Sequence, residues 1–471
     1  MATPSPAFDP DLLRRYDRPG PRYTSYPTAP QFSTDFQSGE LREMAAISNG
    51  DPIPRPLSIY VHVPFCASPC FYCGCNRVIT RDKARGDAYL TRLYREIGMM
   101  STLFDRDREV AQLHLGGGTP NFLAPDQIAE VVDVIRRHFS LSNSPFSRDG
   151  ELECSIELDP RFVSPDDIRI LAEAGFNRAS LGVQDFDPVV QQAVNRIQSV
   201  EETLAIIEAC RKHGLRSVNV DLIYGLPLQS PDGFERTLDI TLAARPDRLA
   251  IYSYAHLPSL FRPQQRIRSE DLPSPAVKLG LLQRAIERLG EAGYVYIGMD
   301  HFALPEDDLA VAQARGGLHR NFMGYTTCAD SDLIGLGVSA ISHIGASFSQ
   351  NPRDLPSWEH AIDEGRLPVW RGMRLDDDDL VRADVIQQLM CHGEIDIGVV
   401  ERRHLIDFAD YFGQALQRLQ PLQHDGLVDV SATHIRATSR GRLLLRILAS
   451  CFDRYLPSQP DAAPAQFSRT V

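Results

Sequence analysis

The chain has 471 residues, 43% of them apolar and 24% charged, and a net charge of −13. That is the composition of a folded globular protein with room for two or three domains. The acidic balance argues against nucleic acid and anionic membrane as principal partners. No apolar run approaches the roughly 18 residues that would span a bilayer, and the opening "MATPSPAFDP" is expected to hold no secretory signal. Nine cysteines in so long a chain are not a disulfide framework, so a reducing cytoplasm is the expected location.

Residues 1–50 are rich in Pro, Ser and Tyr, show little periodicity and are expected to form an N-terminal arm. From 51 to 300 strands and helices alternate. "LSIYVHV" (57–63) reads as a buried strand and "GDAYLTRLYREIGMMSTLF" (86–104) as an amphipathic helix. "VAQLHL" (110–115) is the next strand, and "APDQIAEVVDVIRRHF" a helix capped at Asp126. "ELECSIEL" (151–158), "RASLGV" (178–183), "SVNVDLIY" (217–224) and "RLAIYSY" (248–254) are four more strands, with helices between them. Six βα units predict an α/β fold, a partial TIM-like (β/α)6 barrel of parallel strands. After the long helix "SPAVKLGLLQRAIERLGEAG", residues 301–455 are expected to form a smaller, mostly helical C-terminal domain with a strand pair near 427–438. The acids of "LDDDD" (375–379) open the helix "LVRADVIQQLM", where they suit the positive end of its dipole. Residues 456–471 read as a disordered tail.

Chemistry concentrates behind the first strand. "HVPFCASPCFYCGCN" (62–76) sets Cys66, Cys70, Cys73 and Cys75 within ten positions, at the C-terminal strand end where βα barrels carry their active sites. A disulfide is disfavoured in the cytosol. Structural zinc needs four ligands, usually as two separated pairs, and the chain has no second CxxC. An iron–sulfur cluster suits a tight thiolate run; C-x3-C-x2-C would hold three irons of a cubane and leave the fourth open to a small molecule. Zinc is the competing reading. The following strand ends carry "GGGTP" (116–120), Glu157 in "SIELDPR", Gln184 in "LGVQDF", Asp221 in "VNVDLIYG", and Ala255 with His256 in "SYAHLP". Such features at successive strand ends would open into one mouth.

Together, "PRYTSYPTA" (21–29), "YVHVPFC…CFYCGCN", "LHLGGGTP", "GVQDF", "VNVDLIYGLP" and "HRNFMGYTT" resemble the oxygen-independent coproporphyrinogen III oxidase (dehydrogenase) family of radical S-adenosylmethionine enzymes. The resemblance implies a radical S-adenosylmethionine barrel over 51–300. It also implies oxidative decarboxylation of two propionates of coproporphyrinogen III to vinyls, a step of haem biosynthesis giving protoporphyrinogen IX. It implies one 4Fe–4S cluster on Cys66, Cys70 and Cys73, with Cys75 as a family marker outside the ligand set, and two molecules of S-adenosylmethionine. Tyr60, Gly117, Glu157 and Ile341 would line the first; Tyr72, Gly118, Thr119, Gln184, Arg196, Asp221 and Ala255 would line the second. Tyr60, Glu157 and Phe322 carry over as catalytic residues. Met323 stands where the family often has glutamine, which removes an amide hydrogen bond there. An electron-donor protein and a monomeric state are also expected. Because the substrate has four carboxylates and the chain is acidic, a local cationic patch is required; Arg22, Arg77, His319 and Arg320 are its candidates, with the arm as a lid. The alternative is a cluster-containing haem-binding carrier of the same superfamily, against which Cys75, the "PRYTSYPTA" segment and the full C-terminal region weigh.

Overall fold

The structure is a computed structural model that describes residues 6–141, 152–329, 331–456 and 469. By contacts the chain divides into two compact units. One holds residues 1–31, 282–329 and 375–471, the other 32–281 and 330–374, whereas the sequence placed boundaries at 50 and 300.

The larger unit carries six parallel strands: β1 (Leu57–Val63), β2 (Glu109–Gly117), β3 (Glu153–Leu158), β4 (Arg178–Gln184), β5 (Ser217–Tyr224) and β6 (Arg248–Ser253). They pair in chain order, each parallel to the next. β3 and β4 alternate strictly: Cys154, Ile156 and Leu158, then Ala179, Leu181 and Val183, are buried, while the residues between them are only partly so. Because side chains alternate faces along a strand, Ser155, Glu157, Ser180, Gly182 and Gln184 share the less buried face. Helices between the strands bury apolar stripes at helical spacing, as with Ile128, Val131, Val132 and Ile135 in the helix Pro125–His138. That helix is capped from Ala124 and not from Asp126. Pro125 takes the first helical position, where its missing N–H is not needed, and Gln127 Oε1 accepts from the Ala124 N–H at 2.9 Å.

Part of the region assigned to the C-terminal domain belongs to this sheet. β7 (Asp332–Leu336) pairs parallel with β1 on the side away from β2. β8 (Ile341–His343), β9 (Ser347–Gln350) and β10 (Arg371–Arg374) continue from it antiparallel. Buried carboxylates hold both ends of β7. At its start Asp332 pairs with Arg108 at 2.7 Å, with both side chains almost fully buried. Just past its end Glu96, pushed up to about 7 by burial, accepts from the Gly337 N–H at 2.8 Å, from Asn351 and from the Trp358 indole. Donors arranged so closely around a buried acid satisfy the groups that burial would otherwise leave unpaired.

The expected arm is not one piece. Its helix Ser38–Asn49 lies in the larger unit, where Phe32 stacks on Phe348 at 5.5 Å. In the smaller unit Tyr23 and Tyr26 are buried; the Tyr23 hydroxyl donates to Asp453 at 3.0 Å and the Tyr26 hydroxyl accepts from the Arg454 N–H. Tyr23 and Tyr26 are therefore part of the core of this unit. The rest of it is mainly helical, with Asp377–His392 and Gly413–His424 as long helices. A sheet of Glu394–Asp396, His434–Ala437 and Val428–Val430 includes the strand pair expected near 427–438. The acidic run opens its helix as expected: Asp376 accepts from the Asp379 N–H at 2.8 Å, and Arg454 bridges Asp376 and Asp378. Of the tail expected to be disordered, 457–468 and 470–471 lie outside the described residues.

Candidate active site at the strand ends

A cavity of about 250 Å³ opens in the larger unit. Its wall brings together Cys66, Cys70, Cys73 and Cys75 with Gly117, Gly118 and Thr119 of the glycine turn. Tyr72, Arg77, Glu157, Gln184, Arg196 and Asp221 complete the predicted residues that line it. The strand register explains the convergence: Glu157 pairs with Ser180 and Gly182 with Asp221 across neighbouring strands, so residues far apart in sequence share one face.

The thiols sit in unlike surroundings. Cys66 is buried 3.2 Å from the Thr119 hydroxyl, and burial pushes it up to about 11. Cys73 is drawn down to about 6, first by its hydrogen bonding with Cys75 and then by the nearby Arg77 charge. Arg77 spends its guanidinium on the carbonyl oxygens of Cys70, Cys73 and Cys75 at 3.2–3.4 Å. It braces the cysteine loop, where the sequence suggested a substrate contact. Among the described residues no three His, Cys, Asp or Glu side chains converge on the coordination sphere of one ion; the thiols line a wall.

Gly117 has φ +117°, and a Cβ there would lie 2.8 Å from the His62 ring. At Gly118 a Cβ would lie 2.9 Å from the Pro64 carbonyl carbon. Only glycine permits this conformation and this approach, and it leaves main-chain groups facing the cavity. Beneath them His62 shares 3.0 Å hydrogen bonds with the Tyr60 hydroxyl and with the Asn76 carbonyl. The Asn76 carbonyl can only accept, so Nε2 carries the proton and Nδ1 accepts from Tyr60.

The carboxylates differ as well. Burial would raise Glu157, yet the hydrogen bond with His114 (3.4 Å) and the donated Gly117 N–H (3.1 Å) outweigh it and hold the acid below the usual carboxylate range. Asp221 is pushed up to about 7 by burial and by the Glu157 charge, although Asn219 (2.8 Å) and Ser180 (3.1 Å) donate to it. Arg196 binds Asp159 at 3.0 Å, the Gly182 carbonyl and the Cys70 sulfur at 3.5 Å, and its buried Nε has no partner. Gln184 adopts φ +72° where the β4–β5 register slips.

Three predicted residues of this unit lie outside the cavity wall. Tyr60 is on β1, Ile341 begins β8, and Ala255 follows β6. The Ala255 carbonyl accepts from Gln264 Nε2, which also serves the Tyr72 carbonyl at 2.9 Å. Phe322 and Met323 form the turn between the strands His319–Asn321 and Gly324–Thr326 of the smaller unit. The sequence reading missed Asp159 and Arg161. Arg161 binds Asp159 at 2.6 Å and lies 3.6 Å from Cys70 Sγ. "ELDPR" carried both, directly behind Glu157, but the second cation on Asp159, Arg196, stands 37 positions further on.

The radical SAM superfamily model matches residues 60–240, and the HemN C-terminal domain model matches 375–444. The oxygen-independent coproporphyrinogen III oxidase of Pseudomonas aeruginosa is 51% identical over 96% of each chain. The protein of the same name from Escherichia coli K12 is 47% identical over 98% of each. A solved structure of coproporphyrinogen III oxidase (HemN) from Escherichia coli, reported as a radical SAM enzyme, superposes with a TM-score of 0.91 at 45% identity, covering 96% of this chain and 100% of that one. A cysteine loop, glycine turn and acidic strand ends set on a parallel sheet, in a chain alike to these relatives from end to end, belong to the oxygen-independent coproporphyrinogen III oxidase family of radical SAM enzymes.

Proposed function

We propose that this chain decarboxylates two propionates of coproporphyrinogen III oxidatively to vinyls, giving protoporphyrinogen IX without oxygen. The observation that carries the reading is the cavity wall in which Cys66, Cys70 and Cys73 face Gly117, Gly118, Glu157 and Asp221.

The residues present fit the 4Fe–4S cluster and S-adenosylmethionine of the radical SAM family. Cys66, Cys70 and Cys73 would hold the cluster. The turn that admits no Cβ at Gly117 or Gly118 leaves room for a ligand to meet the main chain, and the unpartnered Arg196 Nε is a donor awaiting an acceptor. When bound, the cluster and S-adenosylmethionine would supply a 5'-deoxyadenosyl radical able to take hydrogen from a propionate β-carbon. The chain's own part is placement. Glu157 stays ionised at neutral pH and can accept from an ammonium or a hydroxyl. Asp159, shared by Arg196 and Arg161, neutralises charge beside Cys70. The glycine turn and Thr119 form one side of the cavity.

Two molecules of S-adenosylmethionine, an electron-donor protein, a monomeric state and a cytoplasmic location belong to the same proposal. The Arg196, Gln184 and Asp221 side of the cavity supports a second molecule beside the first. Among the described residues no helix is long and apolar enough to cross a membrane. The test is an anaerobic assay of the reconstituted protein with coproporphyrinogen III, S-adenosylmethionine and a reductant. Protoporphyrinogen IX should form with release of two equivalents of carbon dioxide. Tight haem binding without conversion would establish the carrier instead.

A further inference from the structure

The smaller unit buries more guanidinium than its contacts satisfy. Arg320, in the strand His319–Asn321, is 7% exposed, and Arg442 is 3% exposed. The Nε and one terminal nitrogen of Arg320, and the Nε of Arg442, are buried without a hydrogen-bond partner. Both guanidinium groups lie over aromatic rings. Arg320 is 4.7 Å from the Tyr325 centroid, and Arg442 is 5.7 Å from that of Tyr296. Ring faces attract a cation but accept none of these N–H groups in the plane of the guanidinium. The Tyr325 hydroxyl is already engaged, donating to the Met390 carbonyl at 3.1 Å. A third buried arginine, Arg446, is lowered to about 9 by burial, with the Arg22 and Arg320 charges pushing the same way. Its N–H groups serve the carbonyl oxygens of Pro21 and Gly20. The nearby Arg22 pairs with Asp300.

Arginine keeps its proton in a protein interior, so these groups cannot relieve the burial by becoming neutral. A buried cation with idle donors opposes folding, and such a defect is expected where a ligand completes it. We propose that Arg320 and Arg442 form a carboxylate-binding subsite that takes a propionate of the tetrapyrrole. The assignment rests on the function proposed above and names one of its substrate contacts. Each idle N–H can donate a charge-assisted hydrogen bond to a carboxylate oxygen. The site is also held in shape. Gln387 Nε2 donates to the Arg320 carbonyl at 3.0 Å and lies 3.3 Å from the His319 ring, and the stacked Tyr325 meets His301 edge-on at 5.3 Å. In a chain of net charge −13, this is where an acidic ligand finds local positive charge.

The test uses the full-length reconstituted protein and two ligands, coproporphyrin III, which carries the same four propionates, and its tetramethyl ester. Affinities are read by anaerobic absorbance titration, alongside the melting temperature without ligand. In Arg320→Met the Kd for coproporphyrin III should rise tenfold or more, with a smaller rise in Arg320→Lys. The ester should bind the wild type and Arg320→Met alike. Ligand-free Arg320→Met should melt no lower than the wild type, because an unpaired buried charge has been removed; a purely structural arginine would move the other way. A coproporphyrin III Kd within twofold of the wild type in both Arg320→Met and Arg442→Met overturns the subsite. If Arg320→Met does not fold, Arg320→Lys decides: selective loss of the acid over the ester supports the subsite, and equal loss of both refutes it. A wild type that converts coproporphyrinogen III while the variants bind unaltered loses only the subsite. A wild type that neither binds nor converts loses the activity as well.

Discussion

Asn in place of Asp221 removes one charge from the cavity and leaves the shape. The acid is pushed from 3.8 to about 7, first by burial and then by Glu157. At 1.36 kcal/mol per decade of proton affinity, that rise of about three decades is worth about 4 kcal/mol. Its sign follows from where the proton resides. Below about pH 4 both folded and unfolded chains hold it. Between about pH 4 and 7 the unfolded chain releases it and the folded chain keeps it, so stability falls by about 1.4 kcal/mol per pH unit. Above about pH 7 both have lost it, and the penalty is level. Asn cannot titrate, so over pH 5–8, where Glu157 stays ionised, the difference between Asp221→Asn and the wild type follows this acid. From pH 5 to pH 8 the variant should gain on the wild type by about 3 kcal/mol, or about 3 °C in melting temperature for a chain of this length. The assay is a set of melting curves of both proteins at half-unit pH steps, at constant ionic strength and without ligand. A melting-temperature difference that stays flat across that range would refute the account of Asp221 as a carboxyl kept partly protonated by burial.

The cysteine series tests the ligand set: Cys66→Ser, Cys70→Ser and Cys73→Ser should each lose the iron and the brown absorbance, while Cys75→Ser keeps iron, measured after anaerobic reconstitution. Iron lost equally from the Cys75 variant would move that residue into the ligand set. Gly117→Ala meets both a positive φ and a 2.8 Å contact with the His62 ring, so it should destabilise the protein by about 1–3 kcal/mol. It should also weaken S-adenosylmethionine binding, read by equilibrium dialysis; a variant as stable and as avid as the wild type would show that the turn needs no glycine.

Much of the larger unit was legible because its signals are local. Period-two burial over "ECSIEL" and "RASLGVQ" marks strands whatever they pair with, and four thiols within ten residues restrict the chemistry before any fold is known. The glycine run was legible as a turn. That it must be glycine was not, since the demand comes from His62 on the neighbouring strand and Pro64 just past its end. The short strand Asp332–Leu336 looked like part of the C-terminal domain because its five residues carry little periodicity, and its pairing with β1 spans more than 270 positions. For the same reason the N-terminal segment read as a lid: nothing near Tyr23 or Tyr26 in sequence announces that Asp453 and Arg454 receive them. Sequence alone named Arg320 as a cation of interest. Only the tertiary structure made it a buried cation with idle donors, because burial and hydrogen-bond satisfaction belong to the packed surroundings and not to the residue.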